Sequence, residues 1–346
     1  MFLKVLLAFV PLAIGLHWAD VNPLVVFVVS CLAIVPLANL MGGFTERLAE
    51  FMGATQGGLL NATLGNAPEL IITGFALSKG LTSVVKASIS GSILMNLLLS
   101  LGLSMVAGGL RREKQNFNKA LAGMSAALLT LASIGLIVPA LLHVASEAEQ
   151  REFSLQISVI LFAIYLLSLV FTMGTHRLLF AQPIDAGDGH ERPKSGLKKA
   201  LVNLAATTAI LAIVSETMTD SLGPAIKTMG LNEVFAGVVV LASLGNVAEL
   251  ITAWRFARGD KMDLVLGITV GAATQAALAV APLLVFTGRL MGQPMDLQFS
   301  LFEVLAVTLA VVVTGQFTRD GESTWIEGAM LVAVYMIFAL GFYYSG

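Results

Sequence analysis

The chain has few charges and a single cysteine, and both shortages narrow the classes of protein it can belong to. Only 12% of its 346 residues are charged, whereas 57% are hydrophobic and the mean hydropathy is +0.86. Because soluble domains carry about 25% charged residues, this composition predicts an integral membrane protein. The formal net charge of −2 leaves no basic surface for nucleic acid. Cys31 stands alone and cannot form an internal disulfide.

Long apolar runs occupy most of the chain. A helix needs about 20 apolar residues to cross roughly 30 Å of hydrocarbon, and most of these runs are long enough. The runs cover residues 2–19, 23–44, 53–79, 81–109, 119–143, 153–178, 199–223, 232–257, 263–288, 297–317 and 324–344. Helices are expected because they satisfy their own backbone hydrogen bonds in lipid. The sequence therefore predicts an all-α integral membrane protein with about 11 transmembrane helices.

A ten-residue motif occurs twice in the chain. Residues 62–71 and 242–251 share seven identical residues, and each copy places Gly-Asn-x-x-Glu inside an apolar run. The same offset of 180 positions maps runs 3 to 6 onto runs 8 to 11, and run 2 corresponds to run 7 with extra residues before the second motif. Because each repeat contains an odd number of helices, five, the second repeat enters the membrane upside down. Inverted repeats are typical of transporters.

The repeat also predicts the domain organisation. Residues 1–19 form an extra N-terminal transmembrane helix, residues 23–180 the first five-helix repeat, and residues 199–346 the second. Residues 181–198 are polar, contain Gly and Pro, and are predicted to form a cytoplasmic linker between the repeats.

The basic residues predict the orientation of the chain. Fifteen of the 20 lie on the side of the N-terminus. The other side has Lys79, Lys86, Arg151, Lys227 and Arg289. Positive loops stay in the cytoplasm, so we expect a cytoplasmic N-terminus and an outer C-terminus. We expect the membrane to be a prokaryotic plasma membrane.

Each motif copy brings a carboxylate and an amide into the membrane. Asn66 and Glu69 are three residues apart and share one helix face, and the same holds for Asn246 and Glu249. An ionisable side chain inside a membrane indicates a functional site. The structural alternative is a hydrogen bond between two protonated glutamates that only holds helices together.

The residues around the carboxylates favour backbone oxygens as further ligands. Gly65 and Gly245 permit close approach or local unwinding, and Pro68 kinks the first copy only. Freed carbonyls at membrane depth must line a cavity or coordinate something. Such an all-oxygen set suits Ca²⁺, which takes roughly 6–8 oxygen ligands. The four histidines lie at the ends of runs or in loops, so a softer metal is not indicated.

The run after each motif carries further polar side chains. Ser88, Ser92 and Asn96 recur every four residues after the first motif, and Thr274 and Gln275 follow the second. We interpret Ser92, Asn96, Thr274 and Gln275 as a secondary ion pathway. The alternative is ordinary helix packing by small residues.

These motifs resemble those of the calcium/cation–proton antiporters (CAX) of the cation/Ca²⁺ exchanger superfamily. Residues 57–71 are similar to the first family signature and residues 245–249 to the second. Residues 91–99 and 271–275 resemble the segments that follow the signatures, and residues 320–328 the family's ending. The resemblance implies a sodium/calcium-exchanger-like fold, a transporter rather than an enzyme, and no cofactor.

The resemblance also implies a mechanism. Cytosolic Ca²⁺, with other divalent cations left open, would exchange for protons by alternating access. Glu69 and Glu249 would be the metal ligands shared by both ions, and Glu46 and Glu216 would belong to gating helices and a proton pathway. The chain departs from the family pattern at Met95, Ala272, Ala273 and Leu250. These departures concern outer ligands and not the two glutamates.

Three alternatives stay open. A sodium/calcium exchanger has the same inverted repeats but resembles Gly-Thr-Ser-x-Pro-Glu where this chain has Gly-Asn-Ala-Pro-Glu. A cation channel would conduct without proton coupling. An intramembrane enzyme would need a nucleophile beside a base or His-Glu-x-x-His, and neither pattern occurs. The sequence leaves open the stoichiometry, the preference for Ca²⁺ over Mn²⁺, any homo-oligomer, and the roles of Glu303 and Glu327.

Overall fold

The computed structural model describes residues 5–52, 57, 60, 63–142, 146–176 and 196–345. In these ranges the chain forms eleven helices and one short antiparallel ribbon. The elements are α1 Phe9–Trp18, α2 Pro23–Met52, α3 Ala67–Ser78, α4 Thr82–Gly109, β1 Gln115–Asn116, α5 Lys119–Leu141, α6 Glu147–Thr175, α7 Leu197–Met229, α8 Glu233–Arg258, α9 Met262–Leu290, α10 Leu301–Phe317, β2 Glu322–Ser323 and α11 Trp325–Tyr344.

Each helix coincides with one predicted span, and the predicted fold class is confirmed. Eight of the described helices are long and apolar enough to cross a membrane. The division into repeats and a linker stays a prediction. Residues 181–195 of the predicted linker lie outside the described residues.

Four helices contain a π-helical turn that the apolar pattern did not predict. These turns are Met95–Ser100 in α4, Phe171–Thr175 in α6, Ala236–Leu241 in α8 and Ala276–Val280 in α9. The one in α4 begins just after Ser92, and the one in α9 begins just after Gln275. π-helical turns recur at functional sites because the extra residue re-aims neighbouring side chains.

Two glutamates whose roles the sequence left open begin helices. Ser300 and Glu303 form a capping box at the start of α10, and Thr324 and Glu327 form one at the start of α11. Glu303 is buried, and its Oε1 accepts a hydrogen bond of 3.0 Å from Ser90 Oγ. Both carboxylates therefore satisfy orphan amides at helix N-termini.

Helices α4 and α9 lie at the centre of the bundle. Their apolar windows are 83% and 72% buried, compared with 22% for α6 at the periphery. A Cβ at Gly91 of α4 would lie 2.3 Å from the carbonyl oxygen of Val238, and one at Gly237 would lie 2.5 Å from Ala87 Cβ. Helices α4 and α8 therefore cross in direct backbone contact, which only glycine permits there.

The apolar side chains form two separate clusters. One is built on α2 and α7, which pack along each other, with α1 beside α2. The other contains side chains of α3, α4, α5, α6, α8, α9, α10 and α11. Ile72, Val84 and Leu244 come from α3, α4 and α8 but pack in the α2/α7 cluster. The α2/α7 pair therefore has a core of its own and touches the remaining helices through aliphatic side chains.

Polar contacts define the two ends of the bundle. At the ribbon end, β1 pairs with β2, and Lys114 Nζ lies 2.8 Å from Glu322 Oε1. At the opposite end, the Lys79 end, Lys79 Nζ lies 2.7 Å from Asp220 Oδ1 of α7. Helix α3 runs towards the Lys79 end, whereas α8 ends at Arg258, whose carbonyl oxygen accepts from Arg112 at the ribbon end. The two motif helices therefore run in opposite directions.

Candidate functional site

The first motif lies where a helix is interrupted. Gly65 and Asn66 form a turn, and α3 begins at Ala67 with Pro68 in its first turn. Proline is favoured at this position because its missing N–H would have no helical partner. Glu69 follows in the same turn, where the helix dipole favours a negative charge. The local sequence thus places a carboxylate at a helix N-terminus inside the bundle.

The second motif lies within a continuous helix. Residues 242–258 are helical throughout, and a π-helical turn precedes them. Asn246 is buried and Glu249 is half-buried. Glu249 therefore lies within an unbroken helix and not in the first turn of one.

The two motif helices touch each other at the carboxylate of the first. A Cβ at Gly245 would lie 3.4 Å from Glu69 Cβ, so the glycine gives room for the glutamate. Glu69 is 2% exposed, and its Oε1 accepts a hydrogen bond from Ser92 Oγ of α4. Glu69 Oε2 and Glu249 Oε2 are shielded from solvent and have no hydrogen-bond partner among the described residues. Each glutamate therefore keeps one oxygen available for a ligand.

Side-chain amides connect the two halves of the chain. Asn66 Nδ2 donates to Gln275 Oε1 at 2.8 Å, and Asn96 Nδ2 donates to Asn246 Oδ1 at 2.6 Å. Asn246 Nδ2 in turn donates to Ser92 Oγ at 2.8 Å. Each motif asparagine is therefore paired with an amide of the other half, and a chain of hydrogen bonds runs from Asn96 to Glu69.

The structure does not bring every predicted residue to this cluster. Thr274 is buried, but its hydroxyl donates to the Val270 carbonyl of its own helix at 2.8 Å. Glu46 lies on α2 and Glu216 on α7, and both are exposed. Glu216 is one turn before Asp220, near the Lys79 end.

Some buried polar residues were missed by the sequence analysis. The spacing of four that links Ser88, Ser92 and Asn96 continues through Ser100 and Ser104, and both are fully buried. Neither hydroxyl has a hydrogen-bond partner among the described residues. The continued spacing was the available signal.

The assembled groups form an all-oxygen set with two carboxylates. The part of the chain that the structure describes holds no cluster of three or more His, Cys, Asp or Glu side chains. Carboxylate, amide and hydroxyl oxygens are the kind of ligand that hard cations prefer. The fold and the site together define a helical membrane protein with two oppositely directed motif helices and paired intramembrane glutamates.

Comparison with known families agrees with this class. The sodium/calcium exchanger protein family matches residues 22–174 and 199–344, so the chain belongs to this family. The two matched segments contain one motif copy each.

Individual relatives match over nearly the whole chain. A Ca(2+)/H(+) antiporter of Synechocystis is 41% identical over 358 residues, covering 98% of this chain and 96% of that protein. The solved structure of native YfkE is 36% identical, with a TM-score of 0.87 and 99% of both chains covered. A structure of the sodium-calcium exchanger NCX_Mj shares the fold, with a TM-score of 0.59 at 17% identity over 95% of this chain and 98% of that one.

Proposed function

We propose that the chain is a secondary active antiporter that exchanges Ca²⁺ for protons by alternating access. The observation that carries the proposal is the contact between the two motif helices, where Glu69 and Glu249 each keep one shielded oxygen without a protein partner. The full-length similarity to a Ca(2+)/H(+) antiporter supports the choice of ions.

Charge explains how the two ions would be coupled. Burial and a neighbouring like charge favour a protonated carboxyl, whereas a bound divalent cation favours the ionised form. Ca²⁺ and protons therefore compete for the same oxygens. An empty site with two ionised carboxylates is costly to move through lipid, so the site changes sides loaded with one ion or the other. The coupling needs no cofactor.

The remaining expectations complete the proposal. Asn66, Asn246, Gly65 and Gly245 would shape the ion site. Ser92, Asn96, Thr274 and Gln275 would line the secondary pathway, with Thr274 acting through its own helix. Glu46 and Glu216, on the α2/α7 pair, would serve gating or proton movement. The ribbon end would face the cytoplasm of a prokaryotic cell, with residues 181–198 as the linker between repeats.

The direct test is neutralisation of each motif glutamate. We expect Glu69→Gln and Glu249→Gln to abolish Ca²⁺ uptake driven by a pH gradient in everted vesicles or liposomes, because glutamine cannot exchange a proton. Glu303→Gln is the matched control, since Glu303 is also buried but caps α10. Normal uptake by either motif variant would contradict the assignment.

The same liposomes separate the alternatives. A proton gradient alone should drive Ca²⁺ flux, and a sodium gradient alone should not. Flux driven by sodium would identify a sodium/calcium exchanger, in keeping with the shared fold. Conductance that is coupled to neither gradient would identify a channel.

A further inference from the structure

A row of buried polar atoms without partners leads away from the two-glutamate site. Nine buried side-chain oxygens lack a hydrogen-bond partner among the described residues. Two belong to Glu69 and Glu249, and two more, on Ser30 and Ser215, belong to the α2/α7 pair. The other five are Asn96 Oδ1, Ser100 Oγ, Ser104 Oγ, Gln115 Oε1 and Ser323 Oγ.

Three of these five atoms belong to α4 and two to the ribbon. Asn96, Ser100 and Ser104 are spaced by four residues, and Gly108 continues the spacing. The side chain of Gln115 lies against Gly108, because a Cβ there would be 2.3 Å from Gln115 Oε1. Ser323 pairs with Gln115 in the ribbon. We call Asn96, Ser100, Ser104, Gln115 and Ser323 the polar row.

The polar row touches α8 at both of its ends. Asn96 bonds Asn246 at the site, and a Cβ at Gly108 would lie 2.6 Å from the Ala257 carbonyl oxygen at the ribbon end. Between these contacts α8 carries Ala253, which is fully buried, lies four residues before Ala257 and has no polar side chain. At 1.5 Å per residue, Asn96 and Gly108 lie roughly 18 Å apart along α4.

The two ends of the row are polar and connected. At the site end, Asn246 links Asn96 to Ser92, and Ser92 donates to Glu69. At the ribbon end, Gln115 Nε2 donates to Asp260 Oδ1 at 2.9 Å. Asp260 is exposed, and its Oδ1 lies 3.6 Å from Arg112 Nε. The row therefore joins a buried carboxylate to the solvent at one end of the bundle.

Helix packing alone does not account for these hydroxyls. Several other buried serines donate to the carbonyl four residues earlier, as Ser133 does to Leu129 at 2.9 Å and Ser158 to Ser154 at 2.7 Å. Ser100 and Ser104 do not, so each leaves a buried polar group unpaired. Such groups cost free energy, and alanine would fill the same space without that cost. Buried polar atoms of this kind are normally satisfied by water.

We infer that the polar row holds a file of water molecules that conducts protons between the two-glutamate site and the ribbon end. A proton released by the site passes to water, and each serine hydroxyl accepts one proton and gives up its own to the next water. The amide oxygens of Asn96 and Gln115 anchor the file without exchanging protons. This inference rests on the proposed proton coupling.

The test compares two fluxes in liposomes. Exchange of Ca²⁺ for protons needs net proton movement, whereas exchange of ⁴⁵Ca²⁺ for Ca²⁺ does not. We expect the double variant Ser100→Ala/Ser104→Ala to slow Ca²⁺/H⁺ exchange about tenfold, as loss of hydrogen bonds from the file would require, with Ca²⁺/Ca²⁺ exchange preserved. Ser133→Ala is the control, because Ser133 is buried in α5 and bonded within its own helix. Equal rates of wild type and double variant, or an equal loss of both fluxes, would overturn the inference.

A second measurement reads the water file without relying on a slowed rate. In a Cys31→Ala background, silver ions added at the ribbon end should inhibit Ca²⁺/H⁺ exchange by Ser104→Cys. They should not inhibit exchange by Ser133→Cys. An insensitive Ser104→Cys would overturn the inference. If the wild type shows no Ca²⁺/H⁺ exchange at all, the proposed function fails, and protection of the Ser104→Cys thiol by silver from a maleimide added after denaturation still decides whether the row is hydrated.

Discussion

The two copies of the repeated motif have almost the same sequence and different structures. The first is broken at Gly65–Asn66 and holds Glu69 at a new helix N-terminus, with a hydroxyl from Ser92 on one oxygen. The second runs through an unbroken α8, where Glu249 is half-buried. The position that corresponds to Ser92, 180 residues later, is Ala272. A duplicated motif can therefore supply one tightly held carboxylate and one looser carboxylate to a single site.

The largest difference between the two copies should appear when proline is introduced into the second copy and removed from the first. Ala248→Pro should unfold the protein or cost at least about 3 kcal/mol, because the ring removes an amide donor and clashes with the carbonyl of Leu244 in the continuous α8. Pro68→Ala should cost less than about 1 kcal/mol, because Pro68 lies at a helix start. Thermal unfolding in detergent measures both. Similar losses in the two variants would mean that the halves are built alike.

A glycine pair tests the same asymmetry one helix further on. Gly91→Ala would place Cβ 2.3 Å from the Val238 carbonyl oxygen, whereas a Cβ at Gly271 meets nothing within 4 Å. We expect the first change to cost about 1–3 kcal/mol through overpacking and to reduce transport, and Gly271→Ala to be tolerated. Unfolding and Ca²⁺ uptake should be recorded for both. A stable Gly91→Ala would contradict the close crossing of α4 and α8.

The hydrogen bond from the Ser92 hydroxyl to Glu69 should affect transport less than the close crossing of α4 and α8. Ser92→Ala removes the donor to Glu69 and the acceptor for Asn246. We expect the apparent affinity for Ca²⁺ to change about tenfold, because the loss of hydrogen bonds to a buried polar group is equivalent to roughly 1–3 kcal/mol. Ala272→Ser, the reciprocal change, should have little effect. Uptake measured over a range of Ca²⁺ concentrations checks both, and an unchanged Ser92→Ala would remove the hydroxyl from the site.

The smallest effect is expected at the Lys79 end. Asp220 accepts a hydrogen bond from Lys79 and carries the opposite charge, so it raises the pKa of Lys79 above its usual value. The stabilisation is complete below the usual lysine pKa of about 10.4 and is lost as the pH rises through the raised pKa. Because both side chains are partly exposed, Lys79→Met should cost less than about 1 kcal/mol at neutral pH. Unfolding midpoints at pH 7 and pH 11 should show a smaller difference between wild type and variant at pH 11.

The apolar pattern predicted the helices well because lipid leaves the backbone no other choice. All eleven spans were found from length and hydropathy, and the fold followed from the repeat. The two motif copies that the sequence singled out contact each other at Gly245, and their role as the ion site stays a prediction. The pattern could not predict the direction in which each polar side chain points. A π-helical turn shifts side chains without altering hydropathy, so neither the pairing of Asn66 with Gln275 nor that of Asn96 with Asn246 was foreseen.

Thr274 shows a second limit of the sequence. A hydroxyl on a membrane helix can bond its own backbone or a neighbour, and the residue type does not decide between them. Thr274 donates within α9, whereas Ser92, on the corresponding helix α4, donates across to Glu69. The roles of Glu303 and Glu327 became clear only from the structure, which shows the helix N-termini that they cap.

The separate core of the α2/α7 pair has a mechanical consequence. Its contact with α3, α4 and α8 includes Ile72, Val84 and Leu244, whose aliphatic surfaces attract without a preferred direction. Sliding one such surface over another exchanges equivalent contacts, whereas the ion pair of Lys79 with Asp220 at the Lys79 end would have to break or move with it. The hydrogen-bonded amides on the other side of the motif helices resist the same displacement. The molecule thus combines a rigid, hydrogen-bonded group of helices with a helix pair that can slide against it. We expect the aliphatic contact between them, more than either part, to set the rate at which the protein changes conformation.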